Sequence, residues 1–225
     1  MKNKKTLITI IVLVVIIAVS VVAAVIFSGL SKETALKNEI LDTAALILND
    51  DPRVETRLTE IVCNGKYEKV ERDIKAYLSD VYEAEKSSRR AREYLNSVSL
   101  LSNANLESDG PDFTNSLTQI NSYLPAVESS INTLDNIRYD SESYMSAGYS
   151  KSQKKLFKSV TNACFDSELD TLYDALTTQK DQFSAYSEIL TFLSDNRAYW
   201  KMVDGEFTYT SADFLRDYQA LRAKL

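Results

Sequence analysis

The sequence predicts an all-α protein with an N-terminal transmembrane helix, an extracytoplasmic antiparallel bundle of three to five helices, and a small β-hairpin near the C-terminus. The 225 residues include only five Gly and three Pro, too few chain breakers for a loop-rich or β-rich fold. Hydrophobic residues make up 44% of the chain, so it can bury enough surface to fold. These residues also recur at steps of three and four, as on one face of a helix.

Residues 6–27 form the predicted signal-anchor helix. They contain no charged residue and no Pro, and at a rise of about 1.5 Å per residue they reach roughly 33 Å, enough to cross a hydrocarbon core of about 30 Å. Three lysines lie within residues 1–5, and no acidic residue precedes Glu33. The positive-inside rule therefore predicts that residues 1–5 are a cytoplasmic tail and that residues 31–225 form an extracytoplasmic domain.

A cleaved signal peptide is the alternative interpretation of the same segment. The apolar region of a signal peptide normally runs about 7–15 residues, and this one is longer. No later stretch is apolar enough for a second crossing. We therefore expect a single-pass type II protein of the cell membrane.

Composition excludes several classes of function. Beyond residue 30 the chain carries 23 Lys and Arg against 32 Asp and Glu, so it is a poor candidate for binding nucleic acid. It contains no His, which removes Ser-His-Asp triads, His-containing zinc sites and the usual general base. No phosphate-binding loop or nucleophile motif is present either. We expect no enzymatic activity, no cofactor, no metal site and no nucleic-acid partner.

Three hydrophobic seams predict long helices. Apolar residues alternate steps of three and four over residues 70–98, 113–134 and 165–193. The connections between seams are short, which favours antiparallel neighbours within one chain. Pro125 is expected to kink the helix of the second seam. The predicted helices cover about 31–49, 52–64, 66–101, 113–138, 151–195 and 211–224.

A β-hairpin is predicted over about residues 198–210. Asp204 and Gly205 stand between aromatic and β-branched residues, which is a strong short-range signal for a hairpin turn. Trp200 is expected to pack against helices from within this hairpin.

The two cysteines, Cys63 and Cys164, are predicted to form a disulfide. Both follow the membrane segment, in a compartment expected to be oxidising. A bridge would close a loop of about 100 residues and stabilise the fold by roughly 4–5 kcal/mol. If residues 31–64 rise from the membrane and residues 66–101 return, both cysteines approach the membrane-distal end. The alternative is two unpaired thiols that pack as small hydrophobic groups.

A basic stripe is predicted on the helix that follows residue 150. Its four members are spaced for one helical face: Lys151, Lys154, Lys155 and Lys158. Lysines at a helix start oppose the macrodipole, so either the helix begins earlier, near Ser141, or the stripe binds an anionic polymer or an acidic partner. An ordinary solvated face is the alternative.

Three tyrosines cluster just before this stripe: Tyr139, Tyr144 and Tyr149. On an exposed loop they would form a recognition patch. The alternative is that they cap the end of the bundle, since Tyr tolerates half-buried positions.

Together these features predict a membrane-anchored cell-envelope protein whose external bundle mediates protein–protein interaction as a scaffold or complex subunit. The alternative is an extracytoplasmic sensor that captures a ligand between its helices. Such a pocket needs polar groups inside the bundle, and Ser88 and Gln179 are the candidates in the seams. A single polar core position more often fixes helix register.

Overall fold

The computed structural model describes residues 31–165 and 167–225, and helices account for 75% of the structure. The predicted helical bundle and the predicted hairpin near the C-terminus are both confirmed. The helices are α1 (31–48), α2 (Val54–Thr59), α3 (Lys66–Ser97), α4 (Asn103–Ser108), α5 (Thr114–Asp140), α6 (Lys151–Cys164), α7 (Glu168–Asp195) and α8 (Ala212–Arg222). A 3₁₀ turn covers Ser141–Tyr144, and the hairpin strands are β1 (Trp200–Val203) and β2 (Glu206–Tyr209).

None of the helices in the described ranges combines the length and the apolar character needed to cross a bilayer. The predicted membrane segment, residues 6–27, lies outside those ranges. Membrane anchoring therefore stays a prediction from the sequence.

The chain divides into two compact units. Unit 1 holds residues 31–78 and 142–164 of the described chain, and unit 2 holds residues 79–141 and 165–225. Unit 1 is nearly neutral, with 12 Lys and Arg against 11 Asp and Glu, whereas unit 2 has 11 against 21. The hydrophobic pattern predicts one bundle over residues 31–225, because the boundary at residue 78 falls within a continuous helical seam that no Gly or Pro interrupts.

The core of unit 1 is built from one apolar face each of α1, α3 and α6. Helix α1 buries residues at steps of four, four and three: Leu36, Ile40, Ala44 and Ile47. From α3 and α6 come Val70, Ile74, Tyr77, Leu78, Leu156, Phe157 and Val160. Of these core positions the predicted seams include Val70, Ile74 and Tyr77 of α3. The buried faces of α1 and α6 lie outside the three seams.

The chain after α1 returns to the start of that helix. The Nζ atom of Lys32 donates a hydrogen bond to Oδ1 of Asn64 over 3.0 Å, so the turn at residues 63–65 lies beside the beginning of α1. The 18 residues of α1 rise about 27 Å, and residues 49–65 come back along them. The predicted helix over residues 52–64 is correspondingly short, because residues 60–65 are not helical.

Two other helices differ from their predicted extents. The seam of residues 66–101 ends in α3 at Ser97, and α4 begins separately, with the side chain of Ser102 as its N-cap accepting from Asn105 N. The predicted helix over residues 151–195 is two helices, α6 and α7, although neither Gly nor Pro marks the break. Pro125 lies inside α5, which continues to Asp140.

Unit 2 packs α5 against α7 and closes its core with the hairpin and α8. Aromatic rings make this closure. Trp200 stacks on Phe113 and Phe207, with ring centroids 5.8 Å and 5.5 Å away. Phe207 in turn contacts Phe214 of α8, whose first turn is capped by Ser211. Trp200 therefore packs inside the unit, as its position in the hairpin predicts.

Gly110 is required by the space around it. A methyl group added there would lie 2.3 Å from the backbone oxygen of Leu106 and 3.1 Å from the ring of Trp200. We expect Gly110→Ala to lower the free energy of unfolding by about 1–3 kcal/mol, the usual cost of overpacking, and to shift the fluorescence of Trp200. In the control, Gly148→Ala, no atom lies within 4 Å of the new methyl, so only left-handed backbone strain is added and the Trp200 emission stays constant. An unchanged emission in Gly110→Ala would contradict the close approach.

Candidate functional site

The predicted disulfide between Cys63 and Cys164 is wrong: both cysteines are free. Cys63 lies in the turn beside the start of α1, at the opposite end of that helix from the one the prediction assumed. Helix α6 begins next to Lys66, whose carbonyl accepts a hydrogen bond from Gln153 Nε2 over 2.9 Å. Cys164 follows Gln153 by eleven residues, about 16 Å along the helix, and its thiol donates to the carbonyl of Val160.

Both thiols are expected to react slowly with alkylating reagents in the folded chain and fully in the denatured chain. Burial, with the charge of Glu71 second, raises the pKa of Cys63 to about 11, and burial raises the pKa of Cys164 to about 12. A raised pKa leaves little thiolate near pH 8, so alkylation of the folded chain should be much slower than that of an exposed cysteine of pKa about 8.5. Denatured, unreduced protein should take two labels. If denatured protein takes no label before reduction, the two cysteines are bonded and the predicted disulfide is present.

Unit 1 contains a buried network of charged side chains. Lys75 is 2% exposed and Glu71 is fully buried. The three donors of the Lys75 ammonium reach Glu39 Oε1 at 2.7 Å, Glu71 Oε1 at 3.0 Å and the carbonyl of Glu60 at 2.5 Å. Arg57 donates to the other oxygen of Glu39. Two carboxylates are thus balanced by two cations, and the buried ammonium has a partner for every proton.

This network joins three segments of the chain, and sequence reasoning missed it. The spacing of Glu71 and Lys75, four residues apart on α3, is a visible signal for a helical ion pair. Glu39 lies 36 residues from Lys75 along the chain, and nothing local indicates that contact. Because every charged group of the network is paired, the network acts as a structural link between these segments.

Glu71 also holds the irregular segment at residues 60–65 in place. Its two carboxylate oxygens accept hydrogen bonds from the backbone N–H groups of Val62 and Cys63, over 3.0 Å and 2.7 Å. Burial acts to raise the pKa of Glu71, but these two donors and Lys75 outweigh it and hold the pKa below the ordinary value of 4.5. The charged carboxylate is therefore the form that stabilises the fold.

A lowered pKa makes this stabilisation depend on pH. The folded state binds fewer protons than the unfolded state, so the contribution is complete above the unfolded-state pKa and is lost as pH falls through the folded-state pKa. We expect Glu71→Gln to reduce the free energy of unfolding by about 1–3 kcal/mol at pH 7. The gap between wild type and variant should narrow below pH 4.5 in urea titrations. A gap that stays constant down to pH 3 would show that the charge of Glu71 is not what stabilises the segment.

The lysine stripe lies on the exposed face of α6, and all four of its members are exposed. Helix α6 begins at Lys151, and not near Ser141. Its start is a reciprocal cap: Ser150 N donates to Gln153 Oε1 over 2.9 Å, and Gln153 N donates to Ser150 Oγ over 3.3 Å. The lysines therefore stand in the first turns of the helix, against its macrodipole.

Other lysines share this end of unit 1. Lys66 is tied to α6 through Gln153, and Lys69 donates to the carbonyl of Ala147 over 2.5 Å. Lys32 reaches the neighbouring turn through its bond to Asn64. We call this surface the basic end of unit 1. Its members are Lys32, Lys66, Lys69, Lys151, Lys154 and Lys155.

The three tyrosines differ in their surroundings. Tyr144 packs edge-on against Tyr77, with centroids 5.7 Å apart. Tyr149 donates its hydroxyl proton to the buried carboxylate of Asp73 over 2.7 Å, and burial together with Asp73 raises the pKa of Tyr149. Both are half-buried in unit 1, as the capping alternative predicts. Tyr139 lies on α5 in unit 2 and is 84% exposed.

The polar seam residues of unit 2 do meet. Nε2 of Gln179 on α7 donates to the carbonyl and the hydroxyl of Ser88 on α3, over 3.0 Å and 3.1 Å. The Oε1 atom of Gln179 is buried and has no hydrogen-bond partner in the described part of the chain. The pair fixes the register of α3 against α7, since a one-residue shift would leave both groups unpaired.

A groove of about 370 Å³ lies between α4 and β1 in unit 2. Its apolar wall consists of Leu106, Pro111, Trp200 and Met202, and charged groups border it: Glu107, Arg197 and Lys201. Arg197 forms an exposed ion pair with Asp112, with 3.1 Å between the charged atoms. An apolar floor within a charged rim is the usual anatomy of a protein-binding hot spot.

No protein-family model matches this chain, and neither curated proteins nor solved structures include a significant match to it. Within residues 31–165 and 167–225, no group of three or more Cys, Asp or Glu side chains is placed to hold a metal ion.

Proposed function

We propose that this protein is a single-pass type II membrane protein of the cell envelope, whose external helical bundle binds a protein partner as a scaffold or complex subunit. The uncharged residues 6–27, with lysines before them and an acidic domain after them, support the anchoring and its orientation. The groove between α4 and β1 is the observation that carries partner binding.

Aromatic residues beside this groove strengthen the argument. Tyr209 is paired with Trp200 across the hairpin, and Tyr199 lies next to it at the open end of the two strands. Both tyrosines are about half exposed. Tyr, Trp, Met and Arg are the residues enriched at the centres of protein interfaces, and Trp200, Met202 and Arg197 line this groove.

Site-specific crosslinking in intact cells tests partner binding. A photoreactive residue at Lys201, on the rim, should form an adduct of one defined mass. The same residue at Thr118, exposed on α5, is the matched control and should form none. Arg197→Glu should abolish the adduct because it reverses a rim charge without removing a buried group. A folded, surface-exposed chain that forms no adduct at residue 201 would contradict the groove as the binding site.

Protease added to intact or wall-stripped cells tests the topology. Cleavage beyond residue 31 is expected without lysis, because the positive-inside rule places that region outside. Full protection until lysis would show that the orientation is wrong.

A second candidate, a ligand-binding module, is favoured by a cleft between α3 and α5. This cleft of about 330 Å³ contains Arg90, the ion pair of Lys86 with Glu83, one aromatic ring and several hydroxyls: Tyr123, Ser87, Ser122, Ser129 and Ser130. Such a lining suits a small anionic ligand that carries hydroxyl groups. Sugar phosphates should then raise the melting temperature of the full chain in proportion to the logarithm of their concentration. Arg90→Gln should remove the effect, and no shift at saturating concentrations would exclude this candidate.

A further inference from the structure

We infer that the basic end of unit 1 binds the anionic phospholipid head groups of the membrane that anchors the chain. This inference rests on the proposed membrane anchoring. It adds to that proposal a second contact with the bilayer, made by the folded unit itself. This contact is separate from the predicted span, which crosses the bilayer, and from the groove in unit 2, which is proposed to bind a protein.

The position of this surface follows from the hydrogen bonds that hold unit 1 together. Lys32 comes five residues after the end of the predicted span at residue 27, so even a fully extended chain keeps it within about 17 Å of the span. Lys32 bonds Asn64, and Lys66, two residues later, accepts the bond from Gln153. The first described turn of α1 and the starts of α3 and α6 therefore converge at the end of unit 1 where the described chain begins.

The charge of this surface is an excess of cations. Its six lysines are all exposed. The acidic residues nearest to them in sequence are engaged by other bases: Glu33 by Lys37, Glu68 by Arg72 and Glu142 by Lys158. Glu71 and Asp73 are buried: Glu71 pairs with Lys75, and Asp73 accepts hydrogen bonds from Tyr149 and Ser146. An anionic surface attracts such a cluster over about one Debye length.

The placement of lysines in the first turns of α6 also favours binding to an anionic surface. The cap formed by Ser150 and Gln153 shows that the helix does not begin earlier, so these lysines lower the stability of its start. In the described part of the chain, Lys151 and Lys155 form no ion pair that would offset this effect. Head-group phosphates supply the missing anions.

Lysine footprinting of the reconstituted full chain tests the inference. The chain is inserted into vesicles of phosphatidylcholine alone or of phosphatidylcholine with phosphatidylglycerol, and briefly acetylated. Mass spectrometry should show the six lysines several-fold less modified in the anionic vesicles. Lys180 and Lys201 of unit 2 serve as internal standards and should not change. Salt at 1 M, where the Debye length is about 3 Å, should remove the protection.

Matched variants, an alkaline extraction and a polyphosphate experiment distinguish the possible explanations. Changing Lys151, Lys154 and Lys155 to Gln should abolish the protection of Lys32 and Lys66, whereas the same change at Lys180, Lys201 and Lys224 should leave it intact. Equal acetylation in both vesicle types, in a chain that resists alkaline extraction, overturns the inference alone. A chain that alkaline carbonate removes from the vesicles overturns the proposed anchoring and the inference with it. Equal protection by soluble polyphosphate in neutral vesicles overturns the lipid assignment.

Discussion

Replacing Lys75 by Met is expected to lower the free energy of unfolding by about 3–5 kcal/mol, the range observed when one partner of a buried ion pair is removed. Methionine fills nearly the same volume, so the loss comes from charge and not from a cavity. Glu39 would keep Arg57 as its partner, whereas the buried Glu71 would lose the Lys75 ammonium that balances its charge. Urea unfolding of the detergent-solubilised full chain, followed by circular dichroism, measures the effect.

Two comparisons identify the cause. Lys37→Met removes an exposed ion pair with Glu33, whose side chains are 41% and 39% exposed, and should cost less than about 1 kcal/mol. Adding Glu71→Gln to Lys75→Met should recover part of the loss, because the one remaining carboxylate keeps Arg57 as its partner. If the double variant is less stable than Lys75→Met by the full cost of Glu71→Gln, the two residues act independently and the network does not exist as described.

The elements that the sequence predicts well are those defined by local spacing. The seam positions Val70, Ile74 and Val81 are all buried. The hairpin turn falls at Asp204 and Gly205, both with positive φ, as their residue types favour. In each case the deciding interactions lie within a few residues of one another, so a pattern in one short window is sufficient.

The elements that the sequence does not predict depend on contacts between distant segments. The disulfide prediction assumed that residues 31–64 rise in one direction. The return of the chain to Lys32 reverses the position of Cys63, as the contact between Lys32 and Asn64 shows. Periodicity specifies which face of a helix is buried and leaves open which helix covers it.

The same limit applies to the candidate surfaces. The stripe on α6 is visible as lysines at helical spacing, yet its proximity to Lys66 depends on a hydrogen bond that spans 87 residues. Tyr139 and Tyr149 look equivalent in the sequence, but one is exposed and the other is bonded to Asp73, 76 residues away. Residue type and local spacing therefore indicate candidates, and the fold decides which of them share a surface.

Replacing Trp200 by Ala is expected to cost about 3–5 kcal/mol, as for other buried aromatic residues. The side chain is 7% exposed, stacks between Phe113 and Phe207, and donates its indole N–H to the carbonyl of Leu193 over 2.7 Å. Truncation would remove both stacks and leave that carbonyl unpaired.

Graded substitutions separate packing from hydrogen bonding. Trp200→Phe keeps an aromatic ring and loses the donor, so it should cost about 1–3 kcal/mol, less than Trp200→Ala. Tyr199→Ala, one residue earlier and 49% exposed, is the matched control and should stay within about 0.5 kcal/mol of wild type. Thermal unfolding monitored by far-UV circular dichroism gives all three values without depending on the fluorescence of the Trp that is removed. If Trp200→Ala is no more destabilising than Tyr199→Ala, the indole does not link the hairpin to the core, and the partner groove that Trp200 borders lacks the rigid wall on which the proposed function depends.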